Sequence, residues 1–66
     1  MTMRESEIGQ EVRVSSGPLE GFRGTVEQVD ETGSRLEVSL QLYGRTTLIE
    51  FHAWEIEPVV RPENAN

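Results

Sequence analysis

Apolar and polar residues alternate along several short runs of this chain, a pattern typical of β-strands that bury one face. The clearest run is LEVSLQL at 36–42, where every second residue is leucine or valine. An amphipathic helix would instead repeat its apolar residues three and four positions apart. The run EVRV at 11–14 alternates in the same way, and shorter or less regular runs follow at 24–29, 47–51 and 54–57. The pattern therefore predicts four strands and a short fifth.

Turn-forming residues separate these runs. The segment DETGS at 30–34 suits a hairpin loop in which Gly33 takes a positive φ angle. The segment YGR at 43–45 suits a tight turn with Gly44 in the same role. The fifth strand is expected to end at Pro58, since proline cannot donate a hydrogen bond to a strand ladder. Connections this short make consecutive strands antiparallel.

The length of the chain decides how such strands are arranged. Five short strands in 66 residues cannot form an open sheet with both faces covered, whereas a curled sheet makes one core and protects its edges. We therefore predict an all-β fold, a small five-stranded antiparallel β-barrel over residues 8–58. Residues 1–7 are expected to be a disordered N-terminus and residues 59–66 a flexible C-terminal tail. The predicted core positions are Val12, Val14, Val26, Val38, Leu40, Ile49, Phe51 and Ile56.

The charge balance argues against nucleic acid as a partner. Twelve acidic residues stand against six basic ones, and the formal net charge is -6. A protein with this charge repels phosphate backbones. The chain has no cysteine, which excludes disulfides and thiolate zinc sites. No apolar run is long enough to serve as a signal peptide or to cross a bilayer, so we expect a cytoplasmic protein with no membrane partner.

No group of residues in the sequence indicates catalysis, a metal or a cofactor. His52 is the only histidine, and a zinc site takes three or four ligands. The carboxylates of Glu55 and Glu57 alternate along a predicted strand, as solvated charges do. The glycines of GPLEGFRG at 17–24 do not fit G-x-G-x-x-G, and no Lys-Ser or Lys-Thr pair follows them. We therefore expect a non-catalytic protein that needs no cofactor.

The aromatic residues are candidates for a cage that would hold a methylated lysine. Such a cage needs three converging rings. Alternation places Phe51 in the core, which leaves Phe22, Tyr43 and Trp54 scattered along the chain. The sequence therefore favours a structural role for Trp54, as a plug at one end of the barrel.

The order of the motifs resembles a known family. The chain reads IGQEVRV at 8–14, GPL at 17–19, FRGTV at 22–26, LEVSL at 36–40 and YGRTT at 43–47. This resembles the KOW domain at the C-terminus of the bacterial transcription factor NusG. The family pattern runs roughly G-x-x-V-R-V-x-x-G-P-F-x-x-F-x-G-x-V, then a hairpin, then V-x-V-x-x-F-G-R-x-T-P-V-E-L. The resemblance covers most of the chain and implies an SH3-like barrel.

The sequence also departs from the family pattern. Leu19 stands where an aromatic residue is usual, Tyr43 replaces phenylalanine, and Leu48 replaces the proline of T-P-V-E-L. The partner can therefore differ from that of the family. The polymerase-binding N-terminal domain of such factors has no counterpart in this sequence, so RNA polymerase is expected as a partner only if that domain exists elsewhere. Whether the chain is an excised domain or a stand-alone protein is open.

A binding surface is predicted at one end of the barrel. We expect Gly21 and Gly24 to turn the backbone sharply before the second strand, so that Leu19 and Phe22 project beyond the barrel. The resemblance implies that the turn at 42–45 lies beside them. The predicted partner-binding residues are Leu19, Phe22, Leu42, Tyr43, Gly44, Arg45 and Thr47.

The sequence is compatible with two functions from different classes. The first is a protein-binding module of the transcription machinery, for which the resemblance implies the termination factor Rho or the ribosomal protein NusE, an antitermination factor, as partner. The alternative is an RNA- or ribosome-binding KOW domain. Charge favours the protein-binding module, since ribosomal KOW domains need basic faces and the six arginines here are spread among twice as many acids. A fold-switching relative of the antiterminator RfaH is disfavoured by the strand-forming Val- and Thr-rich runs. We expect a monomer.

Overall fold

Five antiparallel strands make up the fold, in a computed structural model that describes residues 7–59. The strands are β1 (Glu11–Val14), β2 (Arg23–Val29), β3 (Arg35–Leu42), β4 (Arg45–His52) and β5 (Ile56–Pro58). Their order in the sheet is β4-β3-β2-β1-β5. The predicted five-stranded all-β fold is confirmed. Apart from Glu7 and Val59, the predicted disordered ends lie outside the described residues, and no described helix is long and apolar enough to cross a membrane.

The sheet curls so strongly that its two edge strands approach each other. β4 and β5 form opposite edges, yet only the three-residue 3-10 turn Ala53–Glu55 connects them. Such a turn rises only about 2 Å per residue, so the edges lie close together. Backbone hydrogen bonds hold the turn at both ends, from the Ala53 amide to the Ser34 carbonyl (2.9 Å) and from the Ser15 amide to the Glu55 carbonyl (2.7 Å). Within residues 7–59 no ladder joins β4 to β5, so the sheet fits an SH3-like barrel without closing completely.

The alternating apolar residues of the strands form one core. Its buried members are Val12, Val14, Val26, Leu36, Val38, Leu40, Phe51, Ala53 and Ile56. This set contains every predicted core residue except Ile49. Ile49 packs against the core but stays partly exposed, whereas Phe51 on the same strand, nearer the turn to β5, is buried. Leu36 and Ala53 are buried although they were not in the predicted set.

Strand boundaries differ from the prediction at β4 and β5. β4 begins at Arg45, two residues earlier than the alternation indicates. Its ladder with β3 extends that far, since Arg45 pairs with Leu42. The strand predicted over 54–57 is wrong in its first half. Trp54 lies in the 3-10 turn, and β5 begins only at Ile56, where pairing with β1 starts.

Gly24 has a different role from the one predicted. It lies inside β2 without a positive φ angle, so the expectation of a turn glycine is wrong. A Cβ atom at this position would lie 2.3 Å from the Ser39 carbonyl oxygen and 2.6 Å from Leu40 Cδ2. Gly24 therefore allows β2 and β3 to approach closely. Gly21 does turn the chain, with a φ angle of 96°.

Trp54 does not plug the barrel. Its side chain is 67% exposed, and its ring stacks on that of His52, with ring centroids 5.6 Å apart and an interplanar angle of 9°. Ala53, the preceding residue, takes the buried position in the 3-10 turn instead. In this turn of three residues the Ala53 side chain points inward and the Trp54 side chain points into solvent.

Candidate protein interface at the tip of the barrel

Two connections meet at one end of the sheet, which we call the tip: the β1–β2 loop at 15–22 and the Tyr43-Gly44 turn. In the β2–β3 ladder Gly24 pairs with Leu40. Phe22 lies two residues before Gly24, and Leu42 lies two residues after Leu40. Because the strands are antiparallel, both residues lie at the same end of the ladder. The ladder thus brings together two segments that are distant in the sequence.

Hydrogen bonds from β1 hold the β1–β2 loop in place. The Val14 amide donates to the Phe22 carbonyl at 2.9 Å, and the Gly21 amide donates to the Val14 carbonyl at 2.8 Å. Within the loop, the Phe22 amide donates to the Leu19 carbonyl at 3.1 Å. The backbone around Phe22 is therefore fixed before any partner binds.

The apolar residues of the tip differ in their exposure. Tyr43 is 97% exposed and Phe22 is 38% exposed. Leu19 and Leu42 are partly buried and pack against the core. The expectation that Leu19 projects freely is therefore wrong, because the loop folds its side chain back onto the barrel. Tyr43 and Phe22 are the rings that the tip offers to a partner.

The β3–β4 turn consists of only two residues. Leu42 pairs with Arg45, which leaves Tyr43 and Gly44 as the whole connection. Their φ angles are 51° and 80°, both positive as in a type I′ turn. The sequence predicted a positive φ for Gly44 but missed the one at Tyr43. A tyrosine gives no signal for this conformation, since Asn, Asp and Gly are the usual residues at the first position.

Exposed arginines accompany these rings. Arg23 directly follows Phe22, and Arg45 directly follows the turn. Both side chains are exposed, and so is Glu20 in the loop. The tip therefore presents two exposed cations beside its rings in a protein whose net charge is -6.

The β4 edge continues this surface away from the tip. Thr47 and Ile49 are partly buried and lie opposite Leu40 and Val38 of β3. In the described part of the chain β4 has no strand on its other side, so its outer backbone groups can accept an added strand. The sequence predicted Thr47 as a binding residue and Ile49 as a core residue, because alternation shows which residues share a face but not how completely each is covered.

Residues 7–59 contain no group of three or more His, Cys, Asp or Glu side chains that could hold a metal ion. The chemistry of the tip is that of apolar contact, charge and backbone hydrogen bonding.

Known proteins share both this sequence pattern and this architecture. Residues 8–39 match the KOW motif. The transcription termination/antitermination protein NusG of Vibrio vulnificus is 47% identical over 51 residues, which cover 77% of this chain and 28% of that protein. The chain contains a KOW domain that resembles the C-terminal domain of NusG. The NusG of Neisseria meningitidis is 42% identical over 55 residues, covering 83% of this chain and 31% of that protein.

Solved structures agree on the fold of the KOW domain. A structure of the domain interaction in Thermotoga maritima NusG has a TM-score of 0.74 and 32% identity, and the match covers 80% of this chain and 30% of that one. A structure of the MjSpt4:Spt5 complex has a TM-score of 0.72 at 21% identity, over 94% of this chain and 42% of that one, and it supports the fold alone. The chain spans less than a third of the length of the NusG relatives described above.

Proposed function

We propose that this KOW domain is a non-catalytic protein-binding module of the transcription machinery and that the tip is its docking surface. The relatives are transcription termination/antitermination proteins, which supports a role in the same process. The single observation that carries the site is the Tyr43 ring, 97% exposed at the first position of a two-residue turn. Such a large exposed ring on a rigid turn is typical of a binding anchor.

The exposure and packing of the tip residues support the following mode of binding. Tyr43 and Phe22 act as apolar anchors, while Leu19 and Leu42 support them from the core side. Arg45 at the rim steers an acidic partner surface and contributes about 1 kcal/mol of binding, as exposed ion pairs do. The edge of β4 near Thr47 accepts a strand of the partner.

The partners proposed are Rho and the ribosomal protein NusE. A surface this small on a 66-residue chain supports weak, reversible binding, on the order of micromolar. RNA is disfavoured, since a protein with a net charge of -6 neutralises few phosphates and releases few counterions.

The test is an NMR titration of the ¹⁵N-labelled full chain with Rho and, separately, with NusE. We expect shifts at Phe22, Tyr43, Gly44 and Arg45, and Tyr43→Ala should weaken binding by about 2 kcal/mol. Ile8→Ala is the matched control, because Ile8 is 47% exposed but precedes β1, whereas the loop of the tip follows β1. Its affinity should equal that of the wild type.

Two outcomes would contradict the proposal. If Tyr43→Ala binds both proteins as tightly as the wild type, the tip is not the docking surface. If the chain instead binds generic RNA at sub-micromolar concentration in a strongly salt-dependent way, the RNA-binding alternative is correct.

A further inference from the structure

The His52–Trp54 stack forms a second exposed aromatic surface, which the proposed function does not use. The two rings are nearly parallel, at 9°, and Trp54 is 67% exposed. His52 is the last residue of β4 and the tip lies at the first, Arg45. Seven steps along a strand correspond to about 23 Å of chain, so the stack and the Tyr43-Gly44 turn occupy different ends of β4. The β1–β2 loop, by contrast, reaches the 53–55 turn through the hydrogen bond from the Ser15 amide to the Glu55 carbonyl. We call the stack and its surroundings the His52–Trp54 surface.

The backbone beneath the stack is held in one conformation. The Glu55 side chain accepts a hydrogen bond from the His52 amide through Oε1, at 2.9 Å. Ala53 is buried, and its amide donates to the Ser34 carbonyl at 2.9 Å. The rings therefore stand on a fixed turn, and a partner would lose little conformational entropy in ordering them.

Acidic residues dominate the neighbourhood of the stack. Glu50 is exposed on the same side of β4 as His52, two residues before it. The β2–β3 loop, which is hydrogen-bonded to the turn through Ser34, carries exposed Asp30 and Glu31. Arg35 is a cation close to the stack, since it pairs with His52 in the ladder and its guanidinium lies 3.9 Å from the Glu50 carboxylate. Acidic side chains therefore outnumber the arginine around the stack.

We propose that the His52–Trp54 surface docks a basic protein segment. A lysine or arginine side chain would lie on the face of Trp54 that His52 does not cover, because tryptophan binds cations through its π system more strongly than the other aromatic residues. The neighbouring carboxylates, Glu50 foremost, would attract the remaining basic residues of the segment. The same carboxylates repel a nucleic acid, which could otherwise stack its bases on the ring.

The test uses Trp54 itself as the reporter. It is the only tryptophan of the chain, so its indole N–H resonance and its fluorescence report on this surface alone. The ¹⁵N-labelled full chain is titrated with a hexa-arginine peptide at physiological ionic strength, with hexa-glutamate as the control peptide. We expect a saturable shift of the Trp54 indole with hexa-arginine and none with hexa-glutamate.

Variants separate the aromatic contact from general charge attraction. Trp54→Ala should weaken hexa-arginine binding about tenfold and Glu50→Gln about threefold, whereas Trp54→Phe should retain part of the affinity. Tyr43→Ala is the matched control, since it removes an exposed ring at the other end of β4 and should bind the peptide like the wild type. Trp54 is largely exposed, so these changes leave the fold intact.

The proposal is overturned if Trp54→Ala binds hexa-arginine as well as the wild type, or if the peptide shifts the tip residues and not the indole. It is equally overturned if the indole moves with protein concentration alone, which indicates a second copy of the chain as occupant. A shift caused by a single-stranded oligonucleotide would assign the surface to nucleic acid. None of these results depends on whether Rho or NusE binds the tip.

Discussion

Tyr43 and Gly44 both have positive φ angles, 51° and 80°, and together they form the whole turn between β3 and β4. A left-handed conformation at a bulky residue costs about 1–3 kcal/mol. The Tyr43 ring is almost completely exposed and so recovers little of this cost by burial. A residue that is unfavourable for folding and exposed to solvent fits a binding role, which agrees with the proposed function of the tip.

Tyr43→Asn should therefore raise the free energy of unfolding, by about 0.5–1 kcal/mol, because asparagine tolerates the left-handed region better than tyrosine. It should also weaken partner binding as much as Tyr43→Ala does. Urea denaturation measures the first effect and NMR titration the second. If Tyr43→Asn destabilises the fold, the Tyr43 side chain stabilises the barrel. Tyr43 is then not unfavourable for folding, and its conformation does not favour a binding role.

Gly24→Ala should destabilise the fold strongly, because its methyl group would meet the Ser39 carbonyl oxygen at 2.3 Å and two apolar side chains of β3. We expect a loss of about 3 kcal/mol or more in the free energy of unfolding. Gly21→Ala is the control: its φ angle of 96° makes it strained, but nothing lies within 4 Å of the new methyl group. That variant should lose only about 1–2 kcal/mol in the same urea titration. If the two variants lose the same free energy of unfolding, the close approach of β2 and β3 is not what requires glycine at position 24.

Val26→Ala should cost more stability than Ile49→Ala, although isoleucine loses more carbon atoms. Val26 is fully buried, and removal of its methyl groups leaves a cavity worth about 2–3 kcal/mol. Ile49 is only partly buried on the edge strand, so we expect a loss of about 1–2 kcal/mol there. Thermal unfolding of the two variants side by side gives the order. The reverse order would mean that a partner or another segment covers Ile49.

Stability should fall as the pH decreases through the acid range, and Asp30 should contribute to this fall. Desolvation raises the pKa of Asp30, but hydrogen bonds from the Arg35 amide, the Thr32 hydroxyl and the amides of Gly33 and Ser34 lower it below its ordinary value. A carboxyl whose pKa is lower in the folded state stabilises the fold above its unfolded pKa. That contribution is lost as the pH falls through the folded pKa.

Asp30→Asn removes the charge but keeps an acceptor for the loop, so its stability should vary less with pH below about pH 4 than that of the wild type. Thermal melts of both proteins between neutral and acid pH provide the comparison. If the stability of both proteins falls equally with decreasing pH, other carboxylates cause the acid sensitivity.

Arg13 and Glu57 form an ion pair across the β1–β5 ladder, in which Arg13 Nε donates to Glu57 Oε2 at 2.8 Å. Both side chains are partly exposed, so a double-mutant cycle with Arg13→Ala and Glu57→Ala should give a coupling of about 0.5–1 kcal/mol that weakens with added salt. A coupling near zero would mean that backbone pairing and the burial of Ile56 hold β5 to β1 without help from this ion pair.

Local patterns were sufficient for most of the fold. The alternation of LEVSLQL identified β3 and the inward position of Val38, and the glycines at 33 and 44 identified two turns whose φ angles are positive, at 75° and 80°. These features depend on residues next to each other in the chain, because a strand directs successive side chains to opposite faces and a tight turn needs a residue that tolerates positive φ. The sequence by itself therefore determined the fold class, the antiparallel connections and nearly all of the core.

Only the tertiary structure decided the roles of Gly24, Ile49 and Trp54. Gly24 is required by a carbonyl group fifteen residues away, and Ile49 is only partly covered by the core although Phe51 on the same strand is buried. The Trp54 ring lies in solvent because the turn from β4 to β5 buries Ala53 in its place. In each case the environment comes from strands that are distant in sequence, and it exists only once the sheet has paired and curled. The surfaces proposed for binding depend on that pairing, since it brings Phe22 beside the Tyr43 turn and sets the His52–Trp54 stack at the other end of β4.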